Sequence, residues 1–256
     1  VSLRLLTRGK IFLSLDKLGF SEKEETMIRD IIIKPHGMIL VTGPTGSGKT
    51  TTLYTVLNIL NTPEVNISTI EDPIEYRMPH INQSQVSPKI GYTFAVGLRA
   101  FLRQDPNIIM VGEIRDHETA EIAVHAAMTG HLVLSTLHTN DAVTTLPRLA
   151  EMEIPAFLIA STTNLIVAQR LVRKICPNCI QSYKLDVQTI EELKKQLNIP
   201  NILEKMEKEK IIPNAKKGLE SILFYRGKGC KRCNNQGYKG RLGIYETLEI
   251  TEKISD

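Results

Sequence analysis

A chain of 256 residues with 42% hydrophobic and 23% charged side chains has the composition of a globular protein with a sizeable core. Its net charge of +4 is too small an excess to point by itself to nucleic acid or an anionic membrane. Four cysteines are too few for a disulfide scaffold, and the longest apolar stretch, residues 156–168, is broken by Ser161, Thr162, Thr163 and Asn164. The first residues lack the apolar centre and cleavage site of a signal peptide, so a cytoplasmic protein is expected. Both ends read as cut from something longer.

Along the chain, residues 1–20 carry a strand-like run at 1–6 and scattered apolar residues, as expected of a preceding domain's tail and a linker. Ser21 with Glu24 forms a capping box that predicts a helix to Ile32, ended by Pro35-His36-Gly37. Residues 38–41 read as a buried strand, and a glycine-rich turn leads into a helix over 49–60. Strands follow at 66–70, 107–111 and 132–137, with helices at 94–103, 118–128, 142–151 and 156–171. Short apolar strands alternating with helices predict an α/β domain over 21–172, its mostly parallel sheet covered on both faces. Beyond Arg173 the texture changes. A charge-dense helical stretch at 191–210, read as a solvated face, lies between two cysteine pairs.

Gly43-Pro44-Thr45-Gly46-Ser47-Gly48-Lys49-Thr50 fits G-x-x-x-x-G-K-[ST] at every fixed position, between a strand and a helix. Glycines let backbone N–H groups turn toward anionic oxygens, and the helix N-terminus adds positive potential. Lys49 supplies a point charge for the β- and γ-phosphates of ATP, and Thr50, with Thr51 beside it, offers a hydroxyl to Mg²⁺. Such a site needs a carboxylate at a neighbouring strand tip. Glu113 provides it after the run Ile108-Ile109-Met110-Val111-Gly112, and is the candidate for polarising the attacking water.

Glu71-Asp72-Pro73-Ile74-Glu75 crowds three carboxylates, either around a cation or on an acidic surface turn. His138, after the strand at 132–137, stands on the same sheet edge if the strands are parallel; it either senses a phosphate or caps the loop. Arg99 and Arg103, four apart on one helix face, either meet charge developing on a γ-phosphate or form ordinary ion pairs. Cys176-Pro177-Asn178-Cys179 and Cys230-Lys231-Arg232-Cys233 suit a closed, structural Zn²⁺ site, with redox chemistry the other possibility.

Together these blocks resemble the secretion ATPases, and more narrowly the assembly ATPases of type II secretion and type IV pilus systems. The resemblance implies a RecA-like P-loop core with Gly43 to Thr50 as the Walker A motif. It makes the block from Glu71 to Glu75 the Asp box, Gly112-Glu113 an atypical Walker B, and the blocks Thr129-Gly130-His131 and His138-Thr139-Asn140-Asp141 the His box. Lys49, Glu113, Glu71 and His138 become catalytic candidates, with Arg99 and Arg103 as arginines that reach toward nucleotide. A zinc subdomain over 173–236 and the start of a truncated helical region over 237–256 are also implied. So are a homo-hexameric ring and attachment to the inner membrane through a platform protein, without nucleic acid as a partner. Two other classes are distinguishable: a nucleic-acid translocase on the same core, for which no basic, aromatic-laced strand stands out, and a non-hydrolysing, nucleotide-gated zinc scaffold.

Overall fold

In the computed structural model, which describes residues 14–255, chain order runs α1 (Leu15–Leu18), α2 (Glu22–Ile32), β1 (Gly37–Thr42), α3 (Lys49–Leu60), β2 (Ile67–Glu71), β3 (Asn82–Gln85) and α4 (Phe94–Phe101). Then come β4 (Ile108–Val111), α5 (His117–Met128), β5 (Leu132–Leu137), α6 (Thr145–Glu151) and α7 (Ala156–Thr162). The chain closes with β6 (Thr163–Ile175), β7 (Ile180–Tyr183), α8 (Val187–Gln196), α9 (Ile199–Lys208), β8 (Phe224–Gly227), β9 (Tyr238–Glu249) and α10 (Glu252–Ser255). The strand expected at 1–6 lies outside the described residues.

The main sheet has seven strands in the order β3-β2-β4-β5-β1-β6-β9. All pairings among β1 to β6 are parallel. Parallel strands buried on both faces need apolar side chains on both, and β1 is buried along its whole length. Met38 and Leu40 join one core cluster with Leu98 and Ala123, from α4 and α5. Ile39 and Val41 join the other with Ile28 and Leu53, from α2 and α3. Fully burying each such side chain contributes about 2 kcal/mol. The capping box of α2 forms as expected: Ser21 N–H donates to Glu24 Oε2 at 2.8 Å, and Glu24 N–H to Ser21 Oγ at 3.3 Å.

The structure departs from the sequence expectations in several places, the unexpected edge strand β3 among them. Residues 14–20 are packed rather than linker-like, because Leu15, Leu18 and Phe20 are buried and Phe20 stacks on Tyr245 at 3.6 Å. The helix expected over 156–171 stops at Thr162, and Thr163 begins β6. Leu165, Ile166, Val167 and Ala168 are an apolar run buried on both faces, a pattern shared by central strands and buried helices. The helical region expected from 237 is mainly strand β9, with only the short α10 after it. The single helix expected over 191–210 is two, since Asn198 caps a new helix with proline in its first turn.

Two compact units result, one of residues up to 172 with 242–256, the other of residues 173–241. The second unit pairs β7 with β8 antiparallel and has its own small core of Ile190, Ile199, Leu203, Ile212 and Leu219.

Candidate functional site

The loop after β1 delivers the chain into the first turn of α3. Gly43, Gly46 and Gly48 take φ values of 140°, 79° and 93°, which only glycine adopts freely. A Cβ on Gly43 would also run into the carbonyl oxygen of Gln169. The result is a concave loop at a helix N-terminus, whose first N–H groups have no intrahelical acceptor and favour anions. Lys49 Nζ folds over this loop and donates to the Gly43 carbonyl oxygen at 2.7 Å. Burial lowers the Lys49 pKa below its ordinary value, and the charge of Glu113 acts in the opposite direction. Pro44, Thr45 and Gly46 are exposed, Ser47 is buried, and Thr50 and Thr51 occupy the first turn of α3. Loop amides, a helix N-terminus and one ammonium fit the phosphates of a nucleotide.

Gly112 N–H donates to the Ile70 carbonyl oxygen at 2.8 Å. A Cβ at position 112 would stand 3.2 Å from that oxygen and 3.3 Å from Glu71 Cα, so the approach of β2 favours glycine there. Glu113 is therefore the carboxylate at this strand tip. His138 Nε2 lies 3.2 Å from Glu113 Oε2, and Arg115 Nε lies 2.6 Å from the same oxygen. Register explains the meeting. Val111 pairs with Ser135 and Thr42 with Leu137, so β4, β5 and β1 end on one edge of the sheet. Thr139 N–H then donates to Thr42 Oγ1 at 2.9 Å, tying the His138 loop to the strand that feeds the P-loop.

Glu71 also lies at a strand end, but it is 2% exposed. Its carboxylate accepts from Thr69 Oγ1 at 2.7 Å, from Gln83 Nε2 at 3.0 Å and from the Tyr54 hydroxyl. Burial, reinforced by Glu71, pushes the Tyr54 phenol well above its ordinary value. Burial rules out the acidic surface turn for Glu71, whose oxygens are bonded to α3, β2 and β3 in the interior. Arg99 and Arg103 have their partners outside this cluster. Arg99 Nη1 pairs with Glu118 Oε1 at 2.7 Å on the neighbouring α5, and Arg103 Nη1 donates to the Arg99 carbonyl oxygen at 3.1 Å. Among the described residues neither arginine is bonded to the P-loop or to Glu113.

In the second unit the four cysteines converge, with all sulfurs within 4.8 Å of one another. Sγ separations are 3.9 Å for Cys176 and Cys230, 3.8 Å for Cys179 and Cys233, and 3.7 Å for Cys230 and Cys233. A tetrahedron with Zn–S bonds of about 2.3 Å has S···S edges of about 3.8 Å, so the residues fit a four-thiolate metal site. Burial works against a thiolate at Cys233, but N–H groups of Cys230 and Gly237, at 3.2 and 3.3 Å, outweigh it and hold this thiol down at about 6. The ribbon beside the cluster is more basic than the whole-chain charge suggests. Residues 173–241 hold sixteen Lys and Arg against seven Asp and Glu. Arg173 lies over the Tyr238 ring at 4.0 Å and Arg226 over Tyr183 at 5.0 Å, so these cations and rings are paired with one another.

The family model described as "Type II/IV secretion system protein" matches residues 1–256. The chain belongs to the type II/IV secretion system protein family. It is 48% identical over 256 residues to the type II secretion system ATPase E of Vibrio cholerae, covering 100% of this chain and 47% of that protein. It is 48% identical over 255 residues to the type IV pilus assembly ATPase PilB of Acinetobacter baylyi, covering 100% of this chain and 41% of that one. Among solved structures, the pilus retraction motor PilT with bound ADP matches at 34% identity and a TM-score of 0.62, over 84% of this chain and 71% of PilT. The chain thus spans less than half the length of the two curated relatives named.

Two residues of this secretion-family site escape motif reading. Gln169 from β6 bonds the P-loop, and Tyr54 from α3 bonds Glu71. Gln169 stood inside a stretch read as helix, where a polar residue signals nothing. Tyr54 looks like ordinary helix core. A buried glutamate would have demanded a donor, but its burial is visible only in three dimensions.

Proposed function

We propose that this chain is the nucleotide-hydrolysing part of a motor subunit that drives pilin or pseudopilin assembly in a type II secretion or type IV pilus machine. The observation that carries the reading is the common sheet edge at which the P-loop, Glu113 and His138 meet. Amides of the loop from Gly43 to Gly48, with Lys49, would hold the β- and γ-phosphates of ATP, and Thr50, supported by Thr51, would hold Mg²⁺. Mg²⁺ would neutralise charge on the phosphates when bound. Glu113, 12% exposed at its side chain, would orient the attacking water, with His138 and Arg115 holding its carboxylate in direction. Glu71 acts one step back, fixing the end of β2 to α3 through Tyr54.

Cys176, Cys179, Cys230 and Cys233 would hold Zn²⁺ in a closed, structural site. The names of the relatives support an ATPase of a secretion or pilus-assembly machine; on this reading the subunit would be cytoplasmic, work in a homo-hexameric ring and meet the inner membrane through a platform protein. Arg99 on α4 and Arg103 just beyond its end would serve a neighbouring subunit's nucleotide in such a ring. The test is steady-state Mg·ATP hydrolysis per subunit against protein concentration in the full-length protein, with Lys49→Ala as the blank. A specific rate that rises with concentration is expected. Turnover equal to the blank at every concentration sinks the motor reading.

A further inference from the structure

Gln169 is a buried amide on β6, 3% exposed and preceded by the apolar run from Leu165 to Ala168. A polar side chain in that setting is costly unless its donor and acceptor are both used. Both are. Gln169 Nε2 donates to the Ser47 carbonyl oxygen at 2.7 Å, and Gln169 Oε1 accepts from Thr52 Oγ1 at 2.7 Å. One amide therefore clamps the phosphate-binding loop to the helix that follows it. Its surroundings leave no slack, since Nε2 would stand 3.2 Å from a Cβ on Gly48.

A trans peptide points its N–H away from its C=O. Holding the Ser47 oxygen against Gln169 therefore aims the Gly48 N–H the other way, off β6 and into the loop. We propose that Gln169 is a positioning residue for nucleotide binding, which fixes the Ser47–Gly48 peptide so that the Gly48 amide meets a phosphate oxygen. The inference rests on the nucleotide-binding reading above and adds to it a residue outside the P-loop motif, contributed by a strand more than a hundred residues downstream.

The test compares two substitutions in the full-length protein, by titration with a fluorescent ATP analogue and by thermal unfolding. Gln169→Met keeps the length and loses both bonds; Thr52→Val loses only the bond to the helix and leaves Ser47 braced. Gln169→Met should weaken nucleotide binding about tenfold and Thr52→Val less than about twofold, although both lower the unfolding temperature. No weakening in Gln169→Met, or equal weakening in both, overturns the proposal. Gln169→Glu supplies an independent check if the methionine variant does not fold. A protonated carboxyl can donate to the Ser47 oxygen, whereas a carboxylate cannot. Its affinity should approach wild type at low pH and fall behind as pH rises; a ratio to wild type that is flat with pH counts against the brace. Wild-type protein that binds no better than Lys49→Ala defeats the nucleotide reading itself, before position 169 is in question.

Discussion

The two units of this protein hold themselves together by different means. Among the described residues, twenty buried side chains form just one face of the sheet core in the larger unit, whereas five form the core of residues 173–241. At about 2 kcal/mol for each buried side chain, five leave little to set against the conformational entropy of the smaller unit. What it has instead is four sulfurs at the spacing of a tetrahedral metal site. The larger unit can carry a costly loop with three left-handed glycines at its functional edge because its sheet does not depend on that loop. A small domain with few apolar residues has no such reserve, so in the proposed metal site binding and scaffolding would be one feature.

The largest expected effect follows from that contrast. Removing the metal with a chelator, or changing Cys233→Ser, should unfold residues 173–241 and leave the α/β unit folded, because structural zinc contributes on the order of 10 kcal/mol of apparent binding energy. Segment-resolved hydrogen exchange measures it. Unchanged protection across 186–220 after chelation breaks the comparison. Next in size is Glu113→Gln, which should reduce turnover by roughly 10² to 10⁴ while ATP remains bound and neither unit loses stability. Retained turnover in that variant, with Lys49→Ala inactive, removes the role given to Glu113.

The legible parts of the sequence were those whose chemistry demands fixed spacing. The P-loop, the glutamate at a strand tip and the paired cysteines each state their geometry locally, and the α/β alternation follows from buried strand runs. Residues whose partners are distant were less legible. Gln169 and Glu71 reach their roles only when β6 and β2 are laid beside the P-loop helix, and the apolar run at 165–168 had no period to separate strand from helix. The partner of Arg99 was equally out of reach, since Glu118 stands across from it on a different helix. Charge was blurred by averaging: a net +4 conceals a second unit with a large basic excess and a larger unit that is acidic.

The smallest expected effect comes from a motif that both units share. Asp116 caps α5 by accepting from Thr119 N–H at 2.8 Å and Oγ1 at 3.1 Å; Asp186 caps α8 by accepting from Thr189 N–H at 2.8 Å and Oγ1 at 2.9 Å. The same cap therefore sits on a large core and a small one. A given loss of stability shifts the midpoint of a smaller cooperative unit further, so Asp186→Ala should lower the melting of its unit about twice as far as Asp116→Ala lowers that of the other. The pH response provides a second handle. The Thr189 N–H, followed by its hydroxyl, holds the Asp186 carboxyl below its ordinary value. The stabilisation is therefore complete above the usual carboxylate range and lost as pH falls through it toward the lowered folded value. Asp186→Ala should remove that part of the acid sensitivity of residues 173–241. Equal midpoint shifts in the two variants would mean that the units melt as one, and that the small core is not the weak point its size implies.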